Sequence, residues 1–240
     1  MRGADFSALD DAGLNLQAVF DIAALPADIR DKLRSRFDPE ARYPQLILIG
    51  HAGRRMWEHV RATRGDSAHP VDEYSVATVQ RWFADVFPDR DQRVIYPGDT
   101  VLDLLALGRL AGWHNPSPFM IGIQQDWGTW FAYRVVMLAD SDLAPTPPLA
   151  AASPCASCLE QACVAACPGA AVSSDGFALD KCITYRCQPS SACRHTCLAR
   201  VSCPVGVRHR YDADQLRHTY TLSLQAIEAY CRPERGGGAK

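Results

Sequence analysis

The chain has 240 residues, with 25 Lys and Arg against 27 Asp and Glu and a net charge of −2. That length suits one large domain or two small ones with a real hydrophobic core, and the near-neutral balance argues against a nucleic-acid footprint, which is normally basic. No stretch approaches the run of about 18 to 20 apolar residues that a membrane span needs, and the opening MRGADFSALDDAG lacks the basic flank and apolar run of a secretory signal, so a cytoplasmic, non-membrane protein is expected.

In chain order, LNLQAVFDI reads as a strand, and QLILIG, Gln45 to Gly50, as a short buried strand ending in glycine. IGHAGRRMW, Ile49 to Trp57, follows it and opens a helix. Gly50, His51, Gly53 and Arg54 are candidate cofactor contacts there, because glycines and arginines at a helix N-terminus suit a phosphate. An ordinary turn accounts for the same residues, since the pattern is neither GxGxxG nor a P-loop. In VDEYSVATVQRWFADVFP, Val76, Val79, Phe83 and Val86 recur at helical spacing and Pro88 stops the helix. TVLDLLALGRLAG predicts a second helix, with Thr100 as its cap and Gly112 as its terminator. His51 and His114 are candidate proton donors or axial ligands, though loop histidines have many structural roles. PSPFMIGI, after His114, is a candidate pocket lining. GTWFAYRVVML, rich in aromatic and β-branched residues, reads as a strand.

The composition shifts at LAPTPPLAAASPC, Leu143 to Cys155, where prolines resist regular structure. A boundary near Ala150 follows. The fold class is α+β: an α/β domain over 1–150 for a cofactor or substrate, then a cysteine-rich domain over 151–231. Short loops and turns are expected in the second domain, then a helix over DADQLRHTYTLSLQAIEAY with a capping aspartate. The tail 232–240 has nothing to pack and is expected to be disordered.

Nine of the ten cysteines lie between Cys155 and Cys203, and the tenth is Cys231. Disulfide scaffolds belong mostly to short secreted chains, so metal binding is the better reading. The first passage, CASCLEQACVAACP, spaces Cys155, Cys158, Cys163 and Cys167 by two, four and three residues, with Pro168 next. The second is looser: Cys182, then Cys193, Cys197 and Cys203, with Pro204 next. Zinc also takes four thiolates, but its ribbons pair two CxxC knuckles and only one occurs here. Closely spaced thiolates followed by a proline suit an iron–sulfur cubane, whose wrapping loop must turn away after its last ligand.

The first passage resembles the two-cluster binding motif of the ferredoxin family, in the variant with four residues between the second and third cysteines. In that pattern the fourth cysteine of a run reaches across to the other cubane. Carried over, it implies two [4Fe–4S] clusters, one on Cys155, Cys158, Cys163 and Cys203 and the other on Cys167, Cys182, Cys193 and Cys197. Two gaps of the second passage are enlarged, which leaves Cys187 as an alternative to Cys182. Cys231 reads as an ordinary thiol.

LLALGRLAGW (Leu104 to Trp113), GTWFAYRVVMLADSDL (Gly128 to Leu143) and CITY (Cys182 to Tyr185) together resemble the epoxyqueuosine reductase family and its cobalamin-handling relatives. The resemblance implies a nitroreductase-like first domain that binds cobalamin, fed with single electrons by the two clusters. It also implies a catalytic aspartate just before the helix, at Asp99 in YPGDTVLDLLALG, where a turn or cap is the competing reading. The helical-repeat extension of some members is absent, which with the charge argues against tRNA. The expected function is an oxidoreductase passing electrons to a corrinoid or flavin (FMN) or to a small-molecule substrate, with a separate redox partner as donor. The alternative is a ferredoxin-like carrier with a docking domain and no substrate of its own.

Overall fold

The computed structural model describes residues 5–63, 65–98, 102–150, 152–174 and 176–231. Asp99 and Thr100 lie outside the described residues, as does the tail 232–240. The chain divides into two units, Met1–His114 with Trp130–Ala151 and Asn115–Thr129 with Ala152–Lys240.

The first unit is built on four antiparallel strands in the order β1-β2-β4-β3: β1 Leu16–Asp21, β2 Gln45–Ala52, β3 Gln92–Tyr96 and β4 Phe131–Ala139. Its helices are α1 Ser7–Asp11, α2 Ala27–Phe37, α3 Arg55–Thr63, α4 Pro70–Val86 and α5 Leu104–Leu110. Strand β2 is buried along its whole length, as its apolar run predicts. Ile47 and Ile49 enter one core with Val135 and Met137 of β4, Met56 and Trp57 of α3, and Val79 and Phe83 of α4. Strand alternation sends Leu46 and Leu48 to the opposite face, where they too are fully buried.

Helix α5 starts later than expected. Asp103 is its cap, its Oδ1 accepting from the Ala106 amide at 2.8 Å. A carboxylate one residue before the first helical position satisfies an otherwise orphaned amide, so the cap belongs to Asp103. The helix ends as predicted, with Gly112 at φ +72 just past its C-cap. The proline-rich stretch is tied down rather than free. Thr146 donates its amide to the Val19 carbonyl at 2.9 Å and accepts from the Val19 amide at 3.0 Å, and Leu149 donates to the Ala111 carbonyl. Buried Gln45 bonds both the amide and the carbonyl of Leu143.

The second unit contains more regular structure than the expected loops. It has α6 Ala162–Ala165, a hairpin of β5 Val172–Ser173 and β6 Gly176–Phe177, α7 Leu179–Cys187, α8 Leu198–Ser202 and α9 Ala213–Cys231. Helix α9 has the predicted aspartate cap, with Asp212 Oδ1 accepting from the Gln215 amide at 2.7 Å. Segment Asn115–Thr129 forms a loop pinned by the Asn115–Ile123 and Gln124–Gly128 bridges. Gly128 and Gly206, both at positive φ, meet backbone to backbone with no room for a Cβ on either. That contact fastens this loop to the chain just after Cys203.

Candidate metal centre

The short helices of the second unit set where the thiols fall. Cys155 lies within a 3-10 turn over Pro154–Ser157 and Cys158 is its C-cap, Cys163 lies in α6, and Cys167 follows that helix. Cys182 is on α7, Cys197 is the N-cap of α8, and Cys203 is its C-cap. Helices α6 and α8 pack together. A cysteine just past each of them is thereby carried toward the thiols of the other passage.

The result is two sets. The thiol of Cys155 feels the charges of Cys203, Cys163 and Cys158, and those of Cys163 and Cys203 feel that of Cys158 in turn. The thiol of Cys182 feels Cys197, Cys167 and Cys193, and that of Cys193 feels Cys197 and Cys167. Each set takes thiols from both passages. Cys167, Cys182, Cys193 and Cys197 also line one cavity of 280 Å³, whose apolar wall includes Phe119, Ile121, Val172 and Phe177, whereas Cys187 is not in it. Phe119 and Ile121 come from the PSPFMIGI stretch after His114.

The nine cysteines from Cys155 to Cys203 are free thiols. Burial, then the repulsion of neighbouring sulfurs, pushes the thiols of Cys155, Cys163, Cys182, Cys193 and Cys203 above the ordinary cysteine range. Backbone amides oppose this at Cys163, Cys193 and Cys203, donated by Val164, Leu198 and Val205. The Ala171 amide donates to Cys167 Sγ at 3.4 Å. Buried thiols that repel one another become stable thiolates only when a cationic centre neutralises them. Among the described residues, no three His, Cys, Asp or Glu side chains are close enough to clasp a single metal ion.

Two buried arginines of the second unit were not singled out from sequence, and one of them, Arg186, lines the cavity of the second set. Arg186 is 7% exposed, and its Nε donates to the Cys193 carbonyl at 3.2 Å. Arg200 is 5% exposed, bonds both Oγ1 and the carbonyl of Thr129, and sits over the Tyr211 ring. Charged residues normally read as surface. The available signal for Arg186 was its spacing of four residues from Cys182, one helical turn away on the same face.

In the first unit the predicted contacts are absorbed by the sheet. Gly50 lies in β2, where a Cβ would press on the Ala132 carbonyl and Trp113. His51 is fully buried, and its Nδ1 accepts from Arg134 Nε at 3.0 Å. The Gly53 amide is taken by the Trp130 carbonyl at 2.9 Å, and Arg54 is exposed just before α3. Gly50 and His51 thus lie within β2, and Gly53 just after it. His114 is half-buried with Nδ1 unpartnered, and burial pulls its pKa below the usual histidine value.

An open groove of 750 Å³ in the first unit runs beside α2 and α5, lined by Leu33, Phe37, Leu102, Leu104, Leu107 and Tyr133 among others. Tyr133 stacks on Trp113, with its hydroxyl buried, unpartnered and close against Gly108. Burial raises its pKa well above the usual phenol range, so it stays a neutral donor. Among the described residues no helix is long and apolar enough to cross a membrane.

No protein-family model matches the chain, and no curated protein does. Solved structures do. Bacillus subtilis epoxyqueuosine reductase, with its catalytic aspartate loop swung out of the active site, matches 86% of this chain with a TM-score of 0.52 at 14% identity. An epoxyqueuosine reductase bound to an epoxyqueuosine-modified tRNA stem loop matches 89% with a TM-score of 0.54 at 13% identity. A catabolic reductive dehalogenase matches 90% with a TM-score of 0.50 at 13% identity. The chain spans 66% of the first of these, just under two thirds, then 67% and 33% of the other two. The likeness is one of fold: a mixed helix-and-sheet chain similar to these reductases.

Proposed function

We propose that the protein is a cytoplasmic iron–sulfur reductase related to the epoxyqueuosine reductases. Its C-terminal unit would hold two [4Fe–4S] clusters, one on Cys155, Cys158, Cys163 and Cys203 and one on Cys167, Cys182, Cys193 and Cys197. Its N-terminal unit would hold a corrinoid or flavin. The observation that carries this reading is the cavity lined by Cys167, Cys182, Cys193 and Cys197, which brings thiols of both passages together. A reducing compartment keeps such thiols available.

When bound, the clusters supply one-electron transfer, and the corrinoid or flavin supplies the reductive chemistry on substrate. The chain's own contribution is specific. The eight cysteines bind, and the amides of Val164, Ala171, Leu198 and Val205 donate to sulfur and tune it. Phe119, Ile121, Val172 and Phe177 exclude water from the second set. In the N-terminal unit the groove beside α5 is the candidate substrate site, with Tyr133 on its wall. Asp99, three residues before Leu102 in sequence, stands as the candidate catalytic aspartate. Arg54 is the one exposed group among the candidate cofactor contacts.

The test is anaerobic purification followed by mixing with hydroxocobalamin and, separately, FMN. The expected result is stoichiometric binding of one of them, with a spectral change on reduction. Turnover of an epoxyqueuosine-bearing stem loop is then assayed, because that RNA is the ligand of a structural neighbour. If neither cofactor binds while the iron centres reduce reversibly, the protein is an electron carrier and the reductase reading fails.

A further inference from the structure

Arg186 is buried on α7, four residues beyond Cys182. Its Nε donates to the Cys193 carbonyl at 3.2 Å, its Nη1 to Ser223 Oγ at 3.1 Å, and its Nη2 to the Tyr220 carbonyl at 3.1 Å. The guanidinium stacks over the Tyr220 ring, 5.3 Å from its centroid. All of these partners are neutral. Among the described residues no carboxylate pairs with it, whereas Arg194, less deeply placed, pairs with Glu228.

A buried guanidinium without an anion carries a desolvation penalty that neutral hydrogen bonds only partly offset. Arg186 also lines the cavity of the second thiol set, one helical turn from Cys182 and bonded to the carbonyl of Cys193. The missing anion is therefore sought in that cavity. Four thiolates bring four negative charges to a cubane, more than its core offsets, and each reduction adds another. A cation fixed against the assembly stabilises the reduced form more than the oxidised one.

We infer that Arg186 is the buried counter-charge of the second cluster and holds its reduction potential above the value that four thiolates in an apolar wall would otherwise set. This rests on the two-cluster reading above. The electron comes from an external one-electron donor, and no bond is made or broken at Arg186.

The experiment is an EPR-monitored redox titration of the full-length protein purified without air, with iron and sulfide counted in every sample. Arg186→Gln and Arg186→Met remove the charge, and Arg186→Lys keeps it. With full iron in all three, one of the two redox waves should move to lower potential in the neutral variants. The expected size is about tenfold in the ratio of reduced to oxidised cluster, equal to about 59 mV for one electron. The other wave is the internal reference and should stay in place, and Arg186→Lys should stay near the wild type. Two unmoved waves, or an equal fall in Arg186→Lys, would overturn the inference and leave the two-cluster reading intact. Loss of the second cluster's iron in the neutral variants alone supports the counter-charge. The same loss in Arg186→Lys assigns the residue to packing and overturns it. Wild-type protein without iron and sulfide would remove the two-cluster reading itself.

Discussion

The two units solve the problem of cohesion differently. In the N-terminal unit Ile47, Ile49, Val135 and Met137 are fully buried between helices, each contributing about 1.5–3 kcal/mol of burial. In the C-terminal unit one core cluster has Phe119, Val172 and Ala199 as its buried members, and Cys163, Cys167 and Cys197 are packed against it. There the side chains proposed as metal ligands also do the work of packing, so under that proposal ligand binding and folding would be one process. The difference teaches that one chain can build one unit on an apolar core alone and share the packing of the other with its cysteines.

The largest expected effect separates the units outright. Chelating the metal without air should abolish the melting transition of the C-terminal unit in calorimetry and leave that of the N-terminal unit in place. Cys193→Ser should lose about half the iron, whereas Cys231→Ser should keep it all. Heavy iron loss in Cys231→Ser would break the assignment of thiols. A smaller effect lies on the other side of the comparison. Ile47→Ala should lower N-terminal stability by about 2–5 kcal/mol in chemical denaturation, with iron content unchanged. The smallest concerns the cap of α5: Asp103→Ala should cost about 1 kcal/mol in the same unit. No loss there would shift the helix start away from Asp103.

What the sequence disclosed follows the same divide. Strand β2 was legible because an uninterrupted apolar run has few other uses, and α4 because Val79 and Phe83 recur one turn apart on its buried face. Helix α2 was overlooked although Ile29, Leu33 and Phe37 repeat every four residues, because charged residues fill the positions between them. Helix α7 was hidden for a chemical reason: its cysteines drew it into a ligand loop, yet a helix can present a thiol as well. The thiol spacing supplied the candidate ligands, while their division into two sets, with Cys182 or Cys187 in the second, came from the ferredoxin resemblance and stands as a proposal. The loop Asn115–Thr129 joins the C-terminal unit through the Gly128–Gly206 approach, a long-range contact without local signature. Arg200 was missed because nothing local marks a charge for burial, and Arg186 because its one signal, the four-residue spacing from Cys182, depends on first reading α7 as a helix.

The most direct measurement is the iron and acid-labile sulfide content of the protein purified without air, read together with the EPR spectrum of its dithionite-reduced form. The account predicts about eight iron and eight sulfide per chain and the spectrum of two reduced cubanes. Stoichiometric zinc without sulfide, or the same cysteines recovered as disulfides, would contradict it.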